Sequence, residues 1–310
     1  FYQKQQANWI TDGRELPDRD SLFYLDNPAP LFRKEFSLDK QIDSAMLYIT
    51  AAGYYQATLN GERIGKNVLD PAWTDFSKRI YFSEYDVTSL MSDGANCLGV
   101  LLGNGFYNPL PMRKWGRRNL RKDLAEVGKP TFIAKLIINY ADGSSEEVVS
   151  DASWKYNYGP VIRNSVYLGV AYDAREEIDD WNKAGFDASA WESAVIGQGP
   201  GGELQPAFFP PVQLTKEITP VAVYAAEPGV WMVDMGVNFT GTYKIKLTGD
   251  YGDTIALRFG ERVYEDGSLN PMTTVIGQIK KKGVGGPGAP DVAWQTDSYI
   301  IGDEAEAWFQ

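Results

Sequence analysis

The stretch Tyr55-Gln56-Ala57-Thr58-Leu59-Asn60-Gly61 decides the fold class. Tyr55, Ala57 and Leu59 alternate with Gln56 and Thr58, so an extended segment has one apolar and one polar face. Asn60-Gly61 is the dipeptide preferred by two-residue hairpin turns, which need positive φ at both central positions. The same grammar recurs downstream. Thr131 to Tyr140 runs to a turn at Asp142-Gly143 and returns through Ser145 to Val149. Tyr243, Ile245 and Leu247 alternate with Lys244, Lys246 and Thr248 before Gly249-Asp250-Tyr251-Gly252, and Ile255, Leu257 and Phe259 follow as the expected return strand. One buried and one wet face per strand is the pattern of antiparallel sandwiches. No long segment carries a helical period, and the turns at Val87 to Ser92 and Asp187 to Glu192 are the best helical candidates. The reading is all-β.

A chain of 310 residues is long enough for two cores. Gly197-Gln198-Gly199-Pro200-Gly201-Gly202 and Pro210-Pro211 sustain neither a central strand nor a helix, which puts the boundary there. The expected layout is an arm over 1–30, a first β domain over 31–205 and a second β-sandwich over 206–310. Ala305 to Gln310 reads as a strand just beginning, so the second sandwich is expected to be incomplete at its carboxyl end. Gly283 to Gly288, after Lys280-Lys281-Lys282, is expected to form a mobile loop. No solenoid or propeller period is present.

Composition excludes several chemistries. The chain contains no histidine, which removes Ser-His or Cys-His nucleophilic sites and histidine-bound zinc. Cys97 is the sole cysteine and lies in Cys97-Leu98-Gly99-Val100-Leu101-Leu102, a buried-strand pattern, so it reads as structural. The formal charge of −11 argues against nucleic acid as a partner. No apolar run is long enough for a membrane span. Aromatics make up 13% of the chain, which suits both strands and platforms for sugar rings.

Leu69-Asp70-Pro71-Ala72-Trp73-Thr74-Asp75-Phe76, then Lys78-Arg79-Ile80-Tyr81 and Tyr85-Asp86-Val87-Thr88, resembles the amino-terminal domain of bacterial α-L-rhamnosidases, glycoside hydrolase family 78. Leu102-Gly103-Asn104-Gly105-Phe106-Tyr107 resembles that family's Leu-Gly-x-Gly-Trp-Tyr turn, departing from it at Phe106. Tyr172-Asp173-Ala174-Arg175 matches its Tyr-Asp-Ala-Arg motif. Val233-Asp234-Met235-Gly236-Val237-Asn238-Phe239-Thr240-Gly241, with Gly249, Gly252 and Gly260-Glu261, is similar to its second β-sandwich. The resemblance implies a jelly-roll β-sandwich, then a second antiparallel β-sandwich, then a helical (α/α)₆ barrel that holds the active site. It further implies inverting hydrolysis of terminal α-L-rhamnosides; the location is left unknown, a bacterial periplasmic or secreted one being favoured over a cytoplasmic one. The family's acidic pair belongs to the barrel, so no residue of this chain is nominated as catalytic. The expected partners are a rhamnose-containing glycan and the protein's own carboxyl-terminal helical catalytic domain.

The candidate binding residues are Asn104, Tyr107 and Asn108, where oxygen donors on a glycine-flexed loop suit a hard cation or sugar hydroxyls. Asp70 and Trp73 come from a neighbouring block and would supply a carboxylate and a stacking surface. No cofactor is required by this reading. Calcium is the cation weighed for the jelly-roll, since in some relatives this domain is a calcium-assisted sugar-binding module. Against the binding reading, Asn and Gly are also what tight turns use, and Trp73 can simply fill a core. Glu176-Glu177 and Asp179-Asp180 read as a solvated run. Arg113, Lys114, Arg117, Arg118, Arg121 and Lys122 around Trp115 also read as a solvated loop, docking to a neighbouring domain or an acidic glycan being the other reading. Two further function classes stay open, a stand-alone carbohydrate-binding β-sandwich protein without hydrolase activity and a purely structural linker.

Overall fold

The computed structural model describes residues 6–114, 118–124, 126–277, 286, 288–304 and 306–309. Two sheets face each other across the first core. One runs, neighbour to neighbour, through Val195–Ile196, Ile10–Thr11, Thr131–Tyr140, Ile42–Ala52, Arg79–Asp86 and Glu203–Pro206, with Ser145–Val149 also paired to Thr131–Tyr140. The other runs through Glu192–Ser193, Lys155–Tyr158, Pro30–Ser37, Ala95–Gly103, Tyr54–Leu59 and Glu62–Arg63. Period-two burial picks the inner faces: Ala45, Leu47, Ile49 and Ala51 are buried, and Leu136 and Ala134 stand opposite Leu47 and Ile49. At the centre, Phe132 meets Phe32 edge-on at 5.1 Å and Trp154 at 5.3 Å, all three fully buried. The Trp154 indole N–H donates to the Val149 carbonyl at 2.9 Å, so a large ring is buried without an orphaned donor. Cys97 is buried in its strand, and burial pushes its thiol up to about 11, as a structural cysteine requires.

The two tight turns form as the sequence predicts. Asn60 and Gly61 have φ of 55° and 89°, and Gly143 has φ of 80°. The first hairpin returns only through Glu62–Arg63, and the long partner of Tyr54–Leu59 is Ala95–Gly103. The arm expected over 1–30 is stitched in by Ile10–Thr11, which pairs with both Thr131–Tyr140 and Val195–Ile196.

The third expected hairpin does not form. Ile245–Thr248 pairs with Glu306–Phe309, whereas Thr254–Arg258 pairs with Thr296–Ile300. The Gly249 to Gly252 turn therefore arches between two sheets. Alternation reveals which face is buried but not which strand lies beside it; here Leu247, Tyr299, Ile301 and Phe309 form a small core between the two pairs. Short helices are also displaced from expectation. Thr88–Leu90 is a 3₁₀ turn as predicted, but the Asp187 to Glu192 segment is not helical, and an α-turn sits at Leu120–Asp123 under an Asn119 cap. Most of the loop expected from Gly283 to Gly288 lies outside the described residues.

A hairpin from the first domain completes the second. Val161–Ser165 and Gly169–Asp173 are antiparallel to each other, and Gly169–Asp173 runs parallel to Thr296–Ile300. Tyr172 stacks on Tyr299 at 5.3 Å, and the Val170 N–H donates to Asp297 Oδ1 at 2.7 Å. Gly169 is forced: its φ is +85°, and a Cβ there would lie 2.4 Å from the Thr296 carbonyl oxygen. The expected boundary at 205/206 is thus bridged by residues that belong to one side in sequence and to the other by pairing.

Candidate functional site

The turn that follows Ala95–Gly103 sends its side chains three ways. Gly105 makes this possible: its φ is +52°, and its Cα faces Gly53, with a Cβ meeting the Gly53 carbonyl carbon at 2.9 Å. Asn104 and Asn108 face a cleft of about 700 Å³. Tyr107 turns into the core, edge-on to Phe76 at 5.2 Å, and burial pushes its hydroxyl pKa up. Phe106 turns towards Trp73.

The structure therefore separates the five predicted residues. Asn104 and Asn108 act as a pair: Asn108 Nδ2 donates to Asn104 Oδ1 at 2.7 Å, and Arg121 Nη1 donates to Asn108 Oδ1 at 2.6 Å. Asn104 is further fixed to Asn164, its backbone N–H donating to Asn164 Oδ1 at 2.7 Å and its Nδ2 to the Asn164 carbonyl at 2.9 Å. Asp70 has a different task. Its Oδ2 accepts from Tyr55 Oη at 2.5 Å, Ser83 Oγ at 2.7 Å and Tyr85 Oη at 3.0 Å, which ties the segment after Leu69 to both sheets. Burial, reinforced by the Asp70 charge, holds both tyrosine hydroxyls above their ordinary pKa. Trp73 is 57% exposed, its ring 5.3 Å from Phe106.

The cleft is walled by the arm, by the Val161–Ser165/Gly169–Asp173 hairpin and by the second module through Arg258, Trp294, Thr296 and Ser298. Asp12 in its wall is buried and gripped by Arg14 at 2.6 Å and Lys129 at 3.1 Å. Arg14 also donates to Asn27 and to the Pro28 carbonyl and covers the Tyr158 ring at 4.1 Å, pinning the arm. Arg258 lies over Trp294 at 5.1 Å. The Tyr24 hydroxyl is buried without a hydrogen-bond partner among the described residues. Sequence spacing gave no hint of Asn164, Arg258, Trp294 or Tyr24, because only tertiary pairing between segments far apart in the chain brings them to the cleft beside Asn104. The basic loop is also partly docked: Arg121 stacks over Phe23 of the arm at 4.2 Å.

Among the described residues, no carboxyl group is displaced upward from its ordinary pKa. The carboxyl groups displaced from their ordinary pKa are Asp75, Asp86, Asp142, Asp173, Asp187 and Asp266, and every one is displaced downward by hydrogen bonds from neighbouring donors. A glycosidase acid needs the opposite displacement. Among the described residues no group of three or more His, Cys, Asp or Glu side chains could hold a metal ion. The side-chain oxygens of Asn104 and Asn108 each accept a hydrogen bond, and two amide oxygens fall short of the six to eight oxygens that calcium takes.

Against this geometry the comparisons are decisive. The α-L-rhamnosidase N-terminal domain profile matches residues 40–216. The chain belongs to the α-L-rhamnosidase family. The bacterial α-L-rhamnosidase concanavalin-like domain matches residues 224–309. An α-L-rhamnosidase of Formosa agariphila is 35% identical over 282 residues, covering 90% of this chain and 28% of that protein. The structure of an α-L-rhamnosidase from Dictyoglumus thermophilum aligns at TM-score 0.81 with 38% identity, covering 98% of this chain and 32% of that one. A Streptomyces avermitilis α-L-rhamnosidase complexed with L-rhamnose aligns at TM-score 0.80 with 31% identity, covering 92% and 26%. The chain thus spans between a quarter and a third of the length of these α-L-rhamnosidases. The two-sandwich front read from the Leu69, Leu102, Tyr172 and Val233 blocks is the part that is shared.

Proposed function

We propose that this chain is the non-catalytic front of an α-L-rhamnosidase, a two-sandwich scaffold that supports a helical catalytic barrel and contacts sugar. In this reading the barrel supplies an acid that protonates the leaving oxygen of a terminal α-L-rhamnoside and a base that activates water. The two would be separated by about 6.5–9.5 Å, as inversion requires. The observation that carries the proposal is that the chain matches the N-terminal and concanavalin-like domain models and only a quarter to a third of its relatives' length. Sugar contact is assigned to the cleft beside Asn104 and Asn108. Trp294 and the apolar strand residues offer a face for the ring, and Arg258 and the unpartnered Tyr24 hydroxyl offer polar contacts.

Two measurements test it. The coding sequence beyond Gln310 should continue for several hundred residues of helical period; a stop codon there would instead favour a stand-alone binding protein. Titration of the chain with L-rhamnose, with and without calcium, should give a saturable signal that Arg258→Ala weakens by about tenfold, the loss of one charged contact. Absence of saturation under both conditions would reduce the chain to a structural support.

A further inference from the structure

Outside the cleft, the described basic loop folds as a ribbon. Arg113–Lys114 pairs antiparallel with Arg118–Asn119, and the register sets Lys114 directly opposite Arg118. Like charges directly across a strand pair are destabilising. Yet none of Arg113, Lys114 and Arg118 forms an ion pair among the described residues, in a protein whose acids outnumber its bases by 41 to 30.

The ribbon adjoins an aromatic row. Lys114 lies 4.0 Å over the Tyr167 ring and hydrogen-bonds its hydroxyl. Tyr167 meets Phe106 at 6.2 Å, and Phe106 meets the exposed Trp73 at 5.3 Å, with Tyr54 edge-on behind Phe106 at 6.3 Å. The Trp73 end is held rigidly, since the Asp70 carboxylate three residues earlier is tied by three hydroxyls and Leu69 occupies a left-handed φ of 54°. Cations without an acidic partner among the described residues at one end and aromatic faces along the row are what a chain of sugar rings carrying negative groups would satisfy. The rings stack, and the anion relieves the Lys114/Arg118 repulsion.

We infer that the ribbon and the Trp73–Phe106–Tyr167 row form a second glycan subsite, selective for an oligosaccharide bearing anionic groups. The shared chemistry is a sugar anion, carried either as a uronate carboxylate or as a sulfate ester. This goes beyond the proposed scaffold role and does not depend on the cleft binding rhamnose.

The test is affinity electrophoresis of the chain in gels containing polygalacturonate, a sulfated galactan or the same galactan without sulfate. At least one anionic polymer should retard the chain at least tenfold more strongly than the neutral one, and the anionic polymer that does so identifies the source. Lys114→Gln with Arg118→Gln should abolish that preference, Trp73→Ala should weaken retardation by every polymer, and L-rhamnose binding in the cleft should be unchanged in both variants. A near-ultraviolet circular dichroism spectrum matching the parent would establish that the variants are folded. Equal retardation by neutral and anionic polymers, retention of the preference in the double variant, or equal retardation by polyglutamate or single-stranded DNA would overturn the inference.

Discussion

The two sandwiches are built from similar strands but are held together very differently. The first surrounds Phe32, Phe132 and Trp154 with complete two-sided burial. The second has a small core of Leu247, Tyr299, Ile301 and Phe309, and its Ala222–Glu227/Val230–Asp234 hairpin leaves Val223, Val233 and Trp231 exposed, Trp231 by 67%. It also borrows Val161–Ser165 and Gly169–Asp173 from the first. The difference predicts that the second sandwich depends on the first through the shared hairpin, beside which the cleft lies.

The comparison breaks most directly at the first core. Phe132→Ala should cost about 3–5 kcal/mol in denaturant unfolding of the first sandwich, because a fully buried ring leaves a cavity between two others. The same ring loss in the second sandwich should cost less. Gly169→Ala should cost about 1–3 kcal/mol, given its left-handed backbone and the contact with Thr296. Hydrogen exchange should then quicken in Thr296–Ile300 while Thr131–Tyr140 stays protected; equal loosening of both would refute the directional coupling.

A smaller effect sharpens the same junction. The Arg175 guanidinium and backbone N–H hold the buried Asp173 carboxyl below its ordinary pKa. A depressed folded pKa means that the stabilisation is complete above the unfolded value near 3.9 and is lost as pH falls through the folded value. Acid titration monitored at Tyr172 and Tyr299 should therefore show the junction loosening below about pH 4. Asp173→Asn should flatten that dependence while lowering stability at neutral pH.

Much of the fold was legible because alternation and turn chemistry are local. Tyr55 to Gly61 and Thr131 to Val149 each carry both the face and the turn in one window, and both hairpins form. The Tyr243 to Phe259 segment carried the same signals and was misread as a hairpin, since nothing local says that Ile245 will find Phe309 and Ile255 will find Tyr299. For the candidate site the structure gives placement only. Asn104 and Asn108 line the cleft and Trp73 is exposed, whereas Asp70 and Tyr107 are turned to Tyr85 and Phe76, partners that distance along the chain conceals.

The central claim is that these sandwiches support chemistry performed elsewhere. Incubating the purified 310-residue chain with an aryl α-L-rhamnoside tests it most directly. Release of the aryl group should stay at the buffer-blank rate across pH. Sustained turnover well above that blank, abolished by substituting an Asp or Glu of this chain, would contradict it.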